Sequence, residues 1–198
     1  MISYWIFFCL FIALLLFLEK SGGIFRDSSN LLPTGGKKPF SLSRILLAWW
    51  VLIILPGFTA ILIGTGFIPV LSSQMLVLLG VSGGTTLISR VVDAVDLQTA
   101  QAAGANPRSI DNPSAGFWKD ILSDNGGINI HRVLSVLTNL IVGSWMIVTF
   151  CINLQHIPET PMQADANNLL PQIETATLVL LGISAGIYTT VKATENRA

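Results

Sequence analysis

Five apolar runs, at 2–18, 45–64, 70–92, 133–153 and 170–191, alternate with polar stretches along the 198-residue chain. Each approaches the ~20 residues that a helix needs to cross a hydrocarbon core. The first has neither the charged start nor the small-residue cleavage site of a secretory signal, so it is expected to remain as a membrane anchor. It is rich in Ile, Phe and Leu with scarcely a small residue, which suits a helix facing lipid. The second carries Trp49 and Trp50 near its start and Pro56-Gly57 in its middle, which predicts a kink where proline deletes a backbone hydrogen bond.

Two of these runs repeat one another. Leu76-Val77-Leu78-Leu79-Gly80-Val81-Ser82-Gly83-Gly84 recurs as Leu178-Val179-Leu180-Leu181-Gly182-Ile183-Ser184-Ala185-Gly186, identical at seven of nine positions. Arg90 and Lys192 close the copies at the same offset, and Ser41-Leu42-Ser43-Arg44 aligns with Asn129-Ile130-His131-Arg132 ahead of the second and fourth runs. The expected fold is an all-α membrane protein of about five transmembrane helices. Spans 2–3 and 4–5 would be tandem, parallel-topology repeats of one helical hairpin. The chain then divides into an anchor (1–20), a linker (21–44), a first hairpin (45–92), a loop (93–130) with an interfacial segment at 117–122, a second hairpin (131–192) and a tail (193–198).

The motifs S-x-S-R at 41–44, F-W-K-D-I-L-S-D-N-G-G-I-N-I-H-R at 117–132 and L-L-G-I-S-A-G at 180–186 resemble a group of bacterial membrane proteins with paired "LxGISxGT"-type helices. The likeness spans 39–192. It implies a bacterial origin and the hairpin topology, and transfers no functional residue.

Composition agrees with the pattern. With 52% hydrophobic and 11% charged residues and a mean hydropathy of +0.67, the chain is too apolar to cover itself as a soluble domain. Eleven basic and eleven acidic residues balance, and no nucleic-acid partner is expected. Placement of charge is more telling. The eleven basic residues, Lys20 to Arg197, all fall between spans one and two, between spans three and four or at their edges, or after span five. The connections 65–69 and 154–168 have none. The positive-inside rule then puts the N-terminus outside and the C-terminus inside. A bacterial inner (plasma) membrane is the expected location, with a thylakoid-type internal membrane left open.

Candidate chemistry is sparse. Cys9 and Cys151 lie in apolar runs without metal-ligand companions and read as small hydrophobes; no metal is expected, and no cofactor is specified. Ser82 and Ser184 sit in G-x-S-x-G-like contexts, but His131 and His156 lie at or beyond the ends of the fourth run, too far to take a serine proton at mid-depth. No catalytic residue is assigned. No Asp, Glu, Lys or Arg sits near the middle of a span, which disfavours ion-coupled transport. Gly80/Gly84 and Gly182/Gly186 form G-x-x-x-G pairs, expected at equivalent depths on central packing surfaces. Ser82, Thr86 and Ser89 share a helix face, with hydroxyls expected mainly to bond their own helix, and Asn139 is the best single candidate for an interhelical hydrogen bond. The 93–132 connection reads as flexible or partner-ordered. Within it Phe117, Trp118, Ile121 and Leu122 would lie in the interface or meet a partner, Asp124-Asn125-Gly126-Gly127 would turn, and Asn129 would cap the next helix.

These features point to a non-enzymatic membrane subunit that anchors or scaffolds an assembly. Its partners would be the lipid bilayer and either other membrane subunits or a second copy of itself. The rival expectation is a small channel or passive transporter with a hydroxyl-lined path.

Overall fold

The computed structural model describes residues 2–27, 36–104, 113–124 and 127–195. The chain folds into α1 (Ile2–Gly22), α2 (Leu42–Thr65), α3 (Ser73–Ala103), α4 (Phe117–Leu122), α5 (Ile130–Asn153), α6 (Gln163–Asn168) and α7 (Thr175–Glu195). A two-residue antiparallel ladder, β1 (Ser123–Asp124) with β2 (Gly127–Ile128), flanks the turn ahead of α5. Among the described residues α1, α2 and α5 are long and apolar enough to cross a membrane. The apolar parts of α3 and α7 are shorter, Ser73–Ile88 and Thr175–Ile187, or about 24 and 20 Å at 1.5 Å per residue. The protein is a membrane-embedded helical protein on these grounds.

Helices α2, α3, α7 and α5 pack as a ring of neighbours, and α1 lies outside against α2. Trp50 meets Asn139 and Gly57 meets Phe150, so α2 and α5 run parallel. Thr86 Oγ1 of α3 reaches the Ser43 carbonyl of α2, as an antiparallel hairpin requires. Trp50, Ile53, Ile61, Leu78, Met146 and Phe150 fill the interior. Little of α1 is buried, but Tyr4 is fully enclosed and stacks on Phe150 at 5.8 Å between centroids. α2 stays helical through Pro56, and both Pro56 and Gly57 are buried. A Cβ at Gly57 would overlap the Phe150 ring. Glycine there lets the ring lie on the backbone, which is how membrane helices gain dispersion contact.

The two ends of the bundle differ. At one, α1, the 23–27 and 36–41 segments, α4 and the start of α5 are tied together. Arg26 pairs with Glu19 at 2.9 Å, donates to the Lys38 carbonyl at 2.7 Å and lies over the Phe40 ring. Arg44 donates to the Ile24 carbonyl. At the other end Val70 N donates to Asn167 Oδ1 at 2.8 Å, Gln163 Nε2 to the Ile68 carbonyl at 2.7 Å, and Asn153 Nδ2 to the Leu169 carbonyl at 3.0 Å.

Several boundaries differ from those read in the sequence. The polar stretch from Asp93 continues α3 to Ala103, because its Ala, Gln and Leu are good helix formers even where they are not apolar. α7 begins at Thr175 rather than 170. Pro171 disfavours helix at Leu170, and Leu170 and Ile173 are buried in a non-helical approach. α6, unforeseen, occupies the 154–168 connection and starts where Asp165 Oδ2 accepts from Met162 N at 2.8 Å. Asn129 does cap α5, accepting from His131 N at 2.9 Å, whereas Ser41 makes no side-chain cap bond. Asn106-Pro107, Arg108, Asn112, Asn125-Gly126 and Arg197 lie outside the described residues, as do the side chains of Ser89, Arg90 and Lys192.

Candidate functional site: a polar seam, two glycine faces and a cap

The polar seam starts from one amide. Asn139, mid-way along α5, is buried; its Oδ1 accepts from Trp50 Nε1 at 2.8 Å and its Nδ2 donates to the Ser135 carbonyl at 2.8 Å. Trp49 Nε1 also donates to the Asn139 carbonyl at 3.1 Å. That carbonyl already belongs to the helix ladder, so a second donor needs an uncovered approach. Gly143, one turn on, supplies it: a Cβ there would overlap the Trp49 indole. The sequence singled out Asn139 but not Trp50, Trp49 or Gly143 as its partners.

Around Asn139 the four bundle helices enclose a cavity of about 20 Å³, lined by Ser43, Trp50, Ser82, Thr85, Ser135 and Asn139 with Leu46, Leu78, Val81, Leu181 and Ala185. A polar space of this size admits about one water. Thr85 and Thr86 donate to the Val81 and Ser82 carbonyls of their own helix, as hydroxyls in apolar helices commonly do. Ser82 and Ser135, 9% and 2% exposed, line the cavity. Ser184, the repeat counterpart of Ser82, is also buried with its Oγ unpartnered. The seam holds helices together and has room for a bridging water, but it carries no ionisable group.

The glycine pairs lie elsewhere. A Cβ built at Gly80, Gly84, Gly182 or Gly186 meets nothing within 4 Å. Within one chain these residues are therefore not the central packing surface expected of them; that work falls to Gly57 and Gly143. Repetition marked the outward glycines in the sequence, whereas Gly57 stood out only beside Pro56 and Gly143 not at all. Around the outward glycines Leu76, Val77, Val179, Leu180 and Ile183 are exposed.

Near α4 the expected interface residues divide. Ile121, 3% exposed, turns inward to join Leu42, and Leu122 packs beside it, so neither is available to a partner. Phe117 and Trp118 remain exposed. Asp120, a polar member of that amphipathic segment, holds it in place: Oδ2 accepts from Phe40 N at 3.1 Å and Ser114 Oγ at 2.6 Å, and Oδ1 accepts from Ala115 N at 2.9 Å. The part of the 93–132 connection at 113–124 is thus ordered within the chain itself.

Comparison with family models, curated proteins and solved structures finds no match for this chain. The reading of function therefore rests on its own geometry. His156, beyond the end of α5, has its Nδ1 at 3.0 Å from the Ile152 carbonyl. It borders a second, open cavity of about 250 Å³ with Asn153, Pro158, Asp165, Asn168 and Leu169, remote from Ser82 and Ser184. Among the described residues no three His, Cys, Asp or Glu side chains gather as a metal set. Cys9 is exposed and Cys151 half-buried, both free.

Proposed function

We propose that the protein is a non-enzymatic subunit of a membrane assembly that associates with further copies of itself, or with other membrane subunits, through the outward glycine faces of α3 and α7. The observation that carries this reading is the open space at Gly80, Gly84, Gly182 and Gly186 on helices with exposed apolar side chains. Small residues one turn apart let a second helix backbone come close, and dispersion contact then replaces the hydrophobic drive that lipid removes. Five spans complete the picture, with α3 and α7 crossing beside α2 and α5 as two like-oriented hairpins, N-terminus outside and C-terminus inside. The ring of neighbours, the parallel α2 and α5, and the matched burial of Ser82 and Ser184 support that arrangement. The resemblance to bacterial membrane proteins with paired glycine helices favours the bacterial plasma membrane.

Native mass measurement in mild detergent tests it. The full chain should run as a defined oligomer or with stoichiometric partners, and Gly80→Leu with Gly182→Leu should return it to a monomer of unchanged melting temperature. A lone wild-type monomer rejects the proposal.

A second reading, a small channel or passive transporter, draws on the hydroxyls of Ser43, Ser82, Thr85 and Ser135 around the central cavity. It has less support, since a space for about one water is not a continuous path. Reconstituted vesicles should show solute flux altered by Ser82→Leu; flux equal to that of empty vesicles removes this reading.

A further inference from the structure

The capping segment combines an apolar surface with a lysine rim. Trp118 is 64% and Ile128 80% exposed, with Phe117 and Ile130 exposed beside them, while Ile121 pins α4 to Leu42 underneath. This surface does not stop at the end of the bundle. Ile130 leads, at three- and four-residue steps, into the exposed Leu134, Leu137 and Ile141 along one face of α5. In a membrane-crossing helix that face meets lipid, so α4 and the short ladder extend the lipid-facing stripe beyond the helix start.

Two exposed lysines belong to the same end of the bundle. Lys119 of α4 is exposed, and so is Lys37, whose carbonyl accepts from Ser114 N at 2.9 Å just ahead of α4. Two of the acids described nearby are already engaged. Asp120 is occupied by Phe40, Ser114 and Ala115, and Glu19 is held by Arg26. An aromatic and aliphatic surface continuous with a lipid-facing helix, edged by lysines, has the chemistry of the headgroup layer of an acidic bilayer.

We infer that the α4 cap is a binding surface for acidic phospholipid: Trp118, Phe117 and Ile128 enter the boundary between headgroups and acyl chains, and Lys119 and Lys37 take the headgroup phosphates. The inference rests on membrane embedding and not on oligomerisation, and each of its measurements is read per chain, so it stands or falls separately from the assembly proposal.

The test uses the full chain in nanodiscs of phosphatidylcholine with or without phosphatidylglycerol. Native mass spectra should show phosphatidylglycerol retained in preference to phosphatidylcholine. Lys37→Gln with Lys119→Gln, two exposed positions that leave the fold intact, should weaken that retention by about fivefold per lysine. The fluorescence difference between wild type and Trp118→Phe isolates Trp118. It should be quenched by lipids brominated near the headgroup and spared by aqueous iodide. Equal retention of the two lipids, or no effect of the lysine substitutions, overturns the lysine role. Quenching of Trp118 by iodide and not by bromolipid overturns the membrane contact and turns this surface over to a soluble protein partner.

Discussion

Asn139 shows how much one side chain organises in a bilayer. Its amide accepts from an indole N–H of α2 and donates to a carbonyl of its own α5, tying the two helices at mid-depth. Asn139→Leu is expected to lower stability by about 0.5–2 kcal/mol, because it leaves the Trp50 N–H buried without an acceptor. Trp50→Phe should cost a similar amount, and the double variant should cost less than the sum; unfolding in mixed detergent as a double-mutant cycle reads this directly. An amide amid Leu, Ile and Val stands out in the sequence, so Asn139 was legible. Trp50 was not, since a tryptophan near the start of a span reads equally well as an interfacial anchor.

At the scale of the helix, the glycines sort into two kinds by what a Cβ would touch. Gly143→Ala should destabilise the bundle by about 1–2 kcal/mol net, since overlap with the rigid Trp49 ring outweighs the gain in helix propensity. Gly80→Ala, in open space, should leave the single chain as stable or up to about 1 kcal/mol more so. Thermal unfolding of the two variants side by side checks the opposite signs. Hydropathy located the α2 and α5 cores well because their apolar runs are long. It misplaced the ends of α3 and α7, because helix propensity carries α3 past its last apolar turn and Pro171 delays α7. The amphipathic segment at 117–122 was legible but its clasp was not: Asp120 acts through a hydrogen bond to backbone 80 residues away, and such a pairing leaves no local pattern.

For the whole molecule, the segregation of lysine and arginine yields a prediction about sides. In a background lacking Cys9 and Cys151, Glu159→Cys should react with a membrane-impermeant maleimide on intact cells, and Lys119→Cys should react only after the membrane is opened. The reverse result would invert the topology, and labelling of both on intact cells would break the hairpin count. The likeness between 76–84 and 178–186 is plain in the sequence, at seven identical positions of nine. Which surfaces of the two segments face each other is not, since a likeness in sequence does not record contact. The Asp120 clasp also puts a clock on synthesis. The Phe40 amide, made early, has its carboxylate partner 80 residues downstream. At about 5–20 residues per second the ribosome needs roughly 4–16 s to deliver it. The segment ahead of α2 therefore waits unclasped, and the cap can latch only after α4 has been translated.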